Sequence, residues 1–382
     1  MTRGDMASVG GTYSFNGLAR VTWGESAVVG ACEVVARRGA QKVVIVTSPS
    51  LAKVSGTPRQ IMDALGPTCV GLFDGVQPHT PSPTADSLAA LLRTTGADLV
   101  VTLGGGSPID TVKVALAMIA IGATRSLDIA GNPAAWTLPP VRQIAVPTTL
   151  SGAEFSDLAG LTDPETQIKV GVAGLGIGPV EVILDPALTS HTPRDLWLST
   201  GMRAVDHAIE TVCSIAPTPY TDALALAGLA QLAQSLRVTA RAADDLKARL
   251  AAQQAAWMAS SGLDRTPFGA SHGIGHQLGA VAGVAHGVCS CVLLPAVLDW
   301  NRPVNGAAQA RVANVLGSLT AGEGVRELLR HLGMPARLRD VGVTEPQLDV
   351  IAETSLQNRW VRTNPRPIRD AADVREILEA AW

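Results

Sequence analysis

The sequence predicts an α/β domain with a doubly wound, mostly parallel sheet, followed by an all-helical domain. Three observations lead there. Short apolar runs alternate with helix-like stretches through the first half, the order that parallel pairing with right-handed crossovers requires. A glycine loop follows one of these runs and opens a helical pattern, and sheets of this kind bind ligands beyond the carboxyl ends of their strands. After about Pro193 the strand-like runs stop, and Ala/Leu/Arg/Gln-rich periodicity takes over.

Val43–Thr47 reads as a buried strand and Leu51–Leu65 as the helix after it. Val70–Phe73 is a second strand, Ala85–Arg93 a helix, Asp98–Leu103 a third strand and Ile144–Val146 a fourth. Beyond the turn-rich His191-Thr192-Pro193, the stretches Leu224–Ala242, Leu246–Met258, Glu323–Leu332 and Asp370–Trp382 have helical periodicity. This places a dinucleotide-binding domain at 1–190 and a helical domain at 191–382.

Composition narrows the function classes. At 382 residues the chain suits two domains, and 47% hydrophobic with 16% charged residues makes it well cored. A net charge of -3 with no basic stripe argues against nucleic acid as a partner. The longest apolar run, Val114–Gly122, is too short for a bilayer. The N-terminus lacks a signal-peptide pattern, and the five cysteines have no metal-finger spacing. The expectation is a cytoplasmic protein with reduced thiols. Cys289-Ser290-Cys291 reads as small buried residues on one element.

Leu103-Gly104-Gly105-Gly106-Ser107-Pro108-Ile109-Asp110 carries the first chemistry. Three glycines let backbone turn sharply and approach a ligand. Ser107 is predicted as the N-cap, Pro108 as the first helical residue and Asp110 as the capping-box partner. A helix start of this kind offers N–H groups to a phosphate. It departs from GxGxxG, with Ile109 at the third glycine.

The longer string Gly104–Lys113 resembles the signature of the iron-containing alcohol dehydrogenases, whose loop binds the cofactor pyrophosphate. Pro147-Thr148-Thr149-Leu150-Ser151-Gly152-Ala153-Glu154 is similar to that family's next cofactor segment, along the nicotinamide. It is one residue shorter than in many metal-dependent members, as in maleylacetate reductases. Asn358–Pro367, containing Asn-Pro-Arg-Pro, resembles the end of maleylacetate reductase chains. The resemblance covers nearly the whole chain. It implies a dehydroquinate synthase-like, group III alcohol dehydrogenase architecture, NADH or NADPH as cofactor, a homodimer, and cofactor contacts from Lys169. An aspartate of relatives that meets the ribose 2′-hydroxyl is replaced by Ser48, so NADPH is expected to be tolerated.

Four of the seven histidines lie in two segments of the helical half: His207 in Gly201–Glu210, and His272, His276 and His286 in Ser271–Gly287. His272 and His276, four apart, share a helical face. Converging imidazoles can bind a divalent metal or supply acid–base groups. By resemblance, His207, His272 and His286 match metal ligands of metal-dependent relatives, and His276 matches a non-ligand histidine near substrate and nicotinamide. The relatives' fourth ligand, an aspartate four residues before the first histidine, is Arg203 here. Maleylacetate reductases usually carry a neutral residue there. Arginine cannot ligate a metal and stays charged. Asp206 points about 100° from His207 on a helix and is better placed to pair with Arg203; that pair could also make Arg203 a surface or interface residue.

Three readings follow. The first is a metal-independent NAD(P)H reductase of a small, anionic oxo or enoyl substrate, by resemblance maleylacetate in aromatic compound catabolism. His276 or His272 would supply the proton, and Arg203 would hold the substrate oxygen. The second is an iron- or zinc-dependent alcohol dehydrogenase using His207, His272 and His286. The third is a non-redox, dehydroquinate synthase-like lyase or binding protein.

Overall fold

A computed structural model describes residues 13–129, 138–166 and 169–382. The first half runs β1 (Arg20–Trp23), α1 (Ala27–Arg38), β2 (Val43–Val46), α2 (Pro49–Val54), α3 (Thr57–Leu65), β3 (Cys69–Phe73), α4 (Ser82–Thr95), β4 (Leu99–Gly104), α5 (Gly106–Ile121), β5 (Arg142–Pro147), β6 (Leu158–Thr162), β7 (Lys169–Ala173) and β8 (Glu181–Leu184). Six strands form a parallel sheet in the order β1-β8-β5-β4-β2-β3, while β6 and β7 make an antiparallel pair.

The strand β2 is apolar throughout because both faces of the sheet are covered there. In β2, Val43 and Ile45 pack with α1 and α3, while Val44 and Val46 pack with α4 and α5. All four are fully buried. The sheet is therefore doubly wound, as predicted.

Two readings of elements need correction. Leu51–Leu65 is not one helix: α2 ends at Val54 and α3 begins at Thr57. Ser55 is extended, and its hydroxyl accepts from Thr57 N at 3.2 Å. Ser107 is not an N-cap either. Gly105 is the N-cap of α5, so Pro108 sits at the third helical position, where a backbone N–H is not needed. Asp110 caps nothing; its Oδ2 accepts from Gly160 N at 3.0 Å and ties α5 to β6.

Residues 186–382 contain helices and turns and no strand. They run α6 (Pro186–Thr189), α7 (Arg194–Val212), α8 (Pro219–Arg241), α9 (Leu246–Ala259), α10 (Ala270–Ala282), α11 (His286–Leu316), α12 (Ala321–Leu332), α13 (Glu345–Ser355), α14 (Arg359–Arg362) and α15 (Ala371–Ala380). One apolar core joins α7, α8, α9, α11 and α12. A second joins α10, α11, α13 and α15. Thus α7, α10 and α11, which carry the histidines, are anchored along their lengths. Cys289, Ser290 and Cys291 are fully buried on α11, as expected. No helix among the described residues is long and apolar enough to cross a membrane.

Candidate active site

The glycine loop leaves β4 and passes beneath the segment that leaves β5. Gly104 has φ +143°, and a Cβ on it would lie 2.7 Å from Pro108 Cγ. A Cβ on Gly105 would lie 2.8 Å from Thr149 Cγ2, and one on Gly106 3.2 Å from Ser151 Oγ. The loop and Thr148–Gly152 are therefore in direct contact, an approach that side chains would prevent. Thr148 and Thr149 are buried, with Thr148 N donating to Gly104 O at 3.0 Å. The first-turn N–H groups of α5 are available to an anion.

Two supports of this loop were missed from sequence. Ser107 Oγ accepts from His79 N at 3.0 Å, holding a turn in which His79 and Thr80 both have positive φ. Lys113 is fully buried: its Nζ donates to Leu158 O at 2.7 Å, Ala153 O at 2.5 Å and Ser156 Oγ at 3.2 Å. It fastens α5 to the chain after the Thr148–Gly152 segment. Beside it, burial pushes the Glu154 carboxyl up to about 7, partly offset by Lys113. Ser48, at the end of β2, caps α2 through a bond from Leu51 N at 3.3 Å. Lys169 opens β7, and its side chain lies outside the described part.

The same segment leads to the histidines. Gly152 has φ +75°, and a Cβ there would lie 2.5 Å from Ser260 Oγ and 3.5 Å from His207 Nδ1. From His207 a file of rings continues. His207 and His272 centroids are 5.1 Å apart, and Phe268 lies 4.3 Å from His272. Trp360, on α14, lies 5.7 Å from His272 and 4.7 Å from His276. His276 stacks on His286 at 4.9 Å. The four predicted histidines are thus brought together, joined by two aromatic residues to which the sequence reading gave no role.

Behind the rings lies a buried polar cluster. Arg203 is only 7% exposed, so it is not a surface residue. Its Nη1 is 3.4 Å from Ser290 Oγ and 3.9 Å from Asp206 Oδ2. That Oδ2 accepts from Ser271 Oγ at 2.8 Å and Ser290 Oγ at 2.7 Å. Glu210, one helical turn beyond His207, accepts from the backbone N–H groups of Gly269, Ser271 and His272 at the start of α10. It also bonds His272 Nδ1 at 2.7 Å.

Burial and then the Arg203 charge push both His207 and His272 well below the ordinary imidazole value. Burial lowers Arg203 as well, opposed by Asp206. Burial raises Asp206 and Glu210.

The comparisons agree with this geometry. Residues 19–186 match the model of the iron-containing alcohol dehydrogenases, and residues 197–382 match that of the family's C-terminal part. The chain belongs to the iron-containing alcohol dehydrogenase family. It is an oxidoreductase. It is 30% identical to lactaldehyde reductase of Escherichia coli (strain K12), over 96% of this chain and 98% of the relative. It is 28% identical to maleylacetate reductase of Pseudomonas sp. (strain P51), over 95% of each. Its structure is similar to that of an alcohol dehydrogenase from Oenococcus oeni, with a TM-score of 0.91 and 27% identity, covering 97% of this chain and all of the other.

A family with iron in its name raises the question of fit. Two observations suit a metal: His207 Nδ1 and His272 Nε2 are buried without a partner, and a carboxyl group on the far nitrogen of a ligating histidine is a common second shell. Against them stands Arg203, whose guanidinium occupies the fourth ligand's sequence position inside the protein. Its charge already depresses both histidines and would repel a divalent cation in a medium that screens poorly. Asp206 has its Oδ2 held by two serine hydroxyls; its Oδ1 is buried without a partner, but the residue stands beside His207 and so on another face of α7. Asp206, Glu210 and His272 bring ligand atoms within 4.8 Å of one another. Serine hydroxyls and the start of α10 hold the two carboxyl groups, while Asp206 Oδ1 and His272 Nε2 are left without partners. The set does not fit the relatives' four-ligand site.

Proposed function

We propose that this chain is a metal-independent NADH- or NADPH-dependent reductase of a small anionic oxo or enoyl substrate, akin to maleylacetate reductase. The buried Arg203 carries the reading. A guanidinium presents several donors in a planar fork suited to carboxylate or carbonyl oxygen, and only Nη1 of Arg203 has a protein partner among the described residues. Arg203 would polarise the substrate oxygen where metal-dependent relatives use an ion. The 28% identity to a maleylacetate reductase over 95% of the chain supports the branch.

The pyrophosphate of the cofactor would lie on Gly104–Ser107 and the start of α5, with the nicotinamide along Thr148–Gly152. When bound, the reduced nicotinamide would supply a hydride, with its electron pair, to the electrophilic carbon of the substrate. Arg203 would hold the oxygen that takes up the displaced π pair of an oxo group, an enoyl group taking it up at the α-carbon, and a proton relayed by a histidine would complete the product. The reading carries with it a cytoplasmic homodimer with no nucleic acid or membrane partner; light scattering of the purified chain tests the dimer.

The alternative is a metal-dependent alcohol dehydrogenase, favoured by the partnerless nitrogens of His207 and His272. The lyase reading is not carried forward, since the relatives above are oxidoreductases. A panel of carbonyl substrates, maleylacetate included, assayed with NADH and NADPH before and after chelation, separates the two. Reduction of an anionic oxo acid that survives chelation supports the proposal. Activity confined to simple alcohols and aldehydes and lost on chelation supports the alternative.

A further inference from the structure

Asn358 stands just before α14, and its amide is fixed at both ends. Its Oδ1 accepts from Trp360 N at 3.0 Å, as the N-cap of that turn. This bond identifies which end of the amide is oxygen. The other end, Nδ2, therefore faces His276 Nδ1, at 3.3 Å. An amide nitrogen is only a donor, so Nδ1 of His276 must accept. In a neutral imidazole the hydrogen then sits on Nε2. The plane of the ring is held separately, between Trp360 at 4.7 Å and His286 at 4.9 Å.

His272, one turn earlier on α10, is held differently. Its Nδ1 meets the carboxyl group of Glu210 rather than an amide, and its Nε2 has no partner. The two histidines on one helical face are thus presented by unlike partners, one from α7 and one from the C-terminal segment.

We infer that Asn358 is a positioning residue that fixes His276 in the Nε2–H tautomer and so makes His276 Nε2 a hydrogen-bond donor toward the substrate oxygen. The inference rests on the reductase reading above for its substrate. It gives the segment from Asn358 to Trp360 two tasks: Trp360 orients the rings, and Asn358 selects the nitrogen that bears the hydrogen.

Asn358→Asp tests this in the full-length protein. Aspartate is a good N-cap, so the bond from Trp360 N is kept, but a carboxylate facing Nδ1 is an acceptor and calls for a hydrogen there. Nitrogen NMR of protein labelled in histidine reads the tautomer directly, with the His276 signals identified by their loss in His276→Gln. The expected result is a hydrogen on Nε2 in the parent and on Nδ1 in Asn358→Asp, with an unchanged melting temperature. With any carbonyl substrate that the parent reduces, kcat should fall roughly tenfold or more while KM for NADH stays the same. A parent His276 protonated on Nδ1, or a tautomer indifferent to Asn358→Asp, overturns the assignment. So does a reversed tautomer with undiminished kcat, which would remove the donor role. If the parent reduces no carbonyl compound, the reductase reading fails, whereas the tautomer is still decided by the spectra.

Discussion

Two walls meet at Gly152, and they are made of different material. The cofactor wall, Gly104–Ser107 with Thr148–Gly152, consists of backbone and small side chains in mutual contact. The wall around Arg203 consists of buried and half-buried ionisable and aromatic side chains delivered by α7, α10, α11 and the Asn358–Trp360 segment. In the proposed reading, the first would leave room for a phosphate-bearing ligand to reach N–H groups. The second works by charge held out of water, where each group is sensitive to its neighbours. Damage to one wall should therefore alter cofactor affinity, and damage to the other the chemical step.

The largest effect is expected from the second wall. Arg203→Ala should lower turnover by on the order of a thousandfold, as loss of a donor to a developing oxyanion does. Cofactor affinity, read by quenching of NADH fluorescence, should hold. Because Asp206 keeps both serine hydroxyls, the fold should survive, which circular dichroism checks. Loss of NADH binding in this variant would mean that the walls are not separable.

A titration at the join of the walls comes next. The folded Glu154 carboxyl is raised from 4.5 to about 7, so the folded protein holds a proton that the unfolded chain releases. The associated stability is fully present below 4.5 and is lost as pH rises through about 7. Glu154→Gln removes that loss, worth up to about 3 kcal/mol, and should flatten the fall of melting temperature from acid to alkaline buffer. An unaltered slope would show that Glu154 does not carry the proton.

The smallest effect is expected at the glycines. Gly105→Ala sets a methyl group against Thr149 Cγ2 at 2.8 Å and should weaken NADH by roughly tenfold, about 1.4 kcal/mol. At saturating NADH its kcat should return close to that of the parent. A fall in kcat with unchanged affinity would reverse the division between the walls.

The same contrast explains what could be read from sequence. The glycine loop is one continuous string after a fully buried strand, so its place at the carboxyl end of β4 was legible. Its capping was misread because Ser107 looks like an N-cap, yet its hydroxyl serves His79 across the loop. β2 and β4 were visible as apolar runs buried on both faces. β1 and β8 were missed: each has four residues, and β1 is partly exposed along its length. The histidines were legible by spacing and resemblance. Their supports were not, because Glu210, Ser290, Phe268 and Asn358 acquire meaning only when separate elements meet. Glu210 did leave a signal, a carboxylate three residues after His207 and so on the same helical face.

Arg203 in place of a metal is the central claim, and elemental analysis coupled to activity tests it most directly. The chain, purified without added metal and assayed with and without chelator on the best substrate of the panel, should contain no stoichiometric iron or zinc and keep its activity. Arg203→Asp should gain affinity for a divalent ion while losing the parent reaction. Stoichiometric iron or zinc in the parent, with activity abolished by chelation and restored by that metal, would contradict the claim.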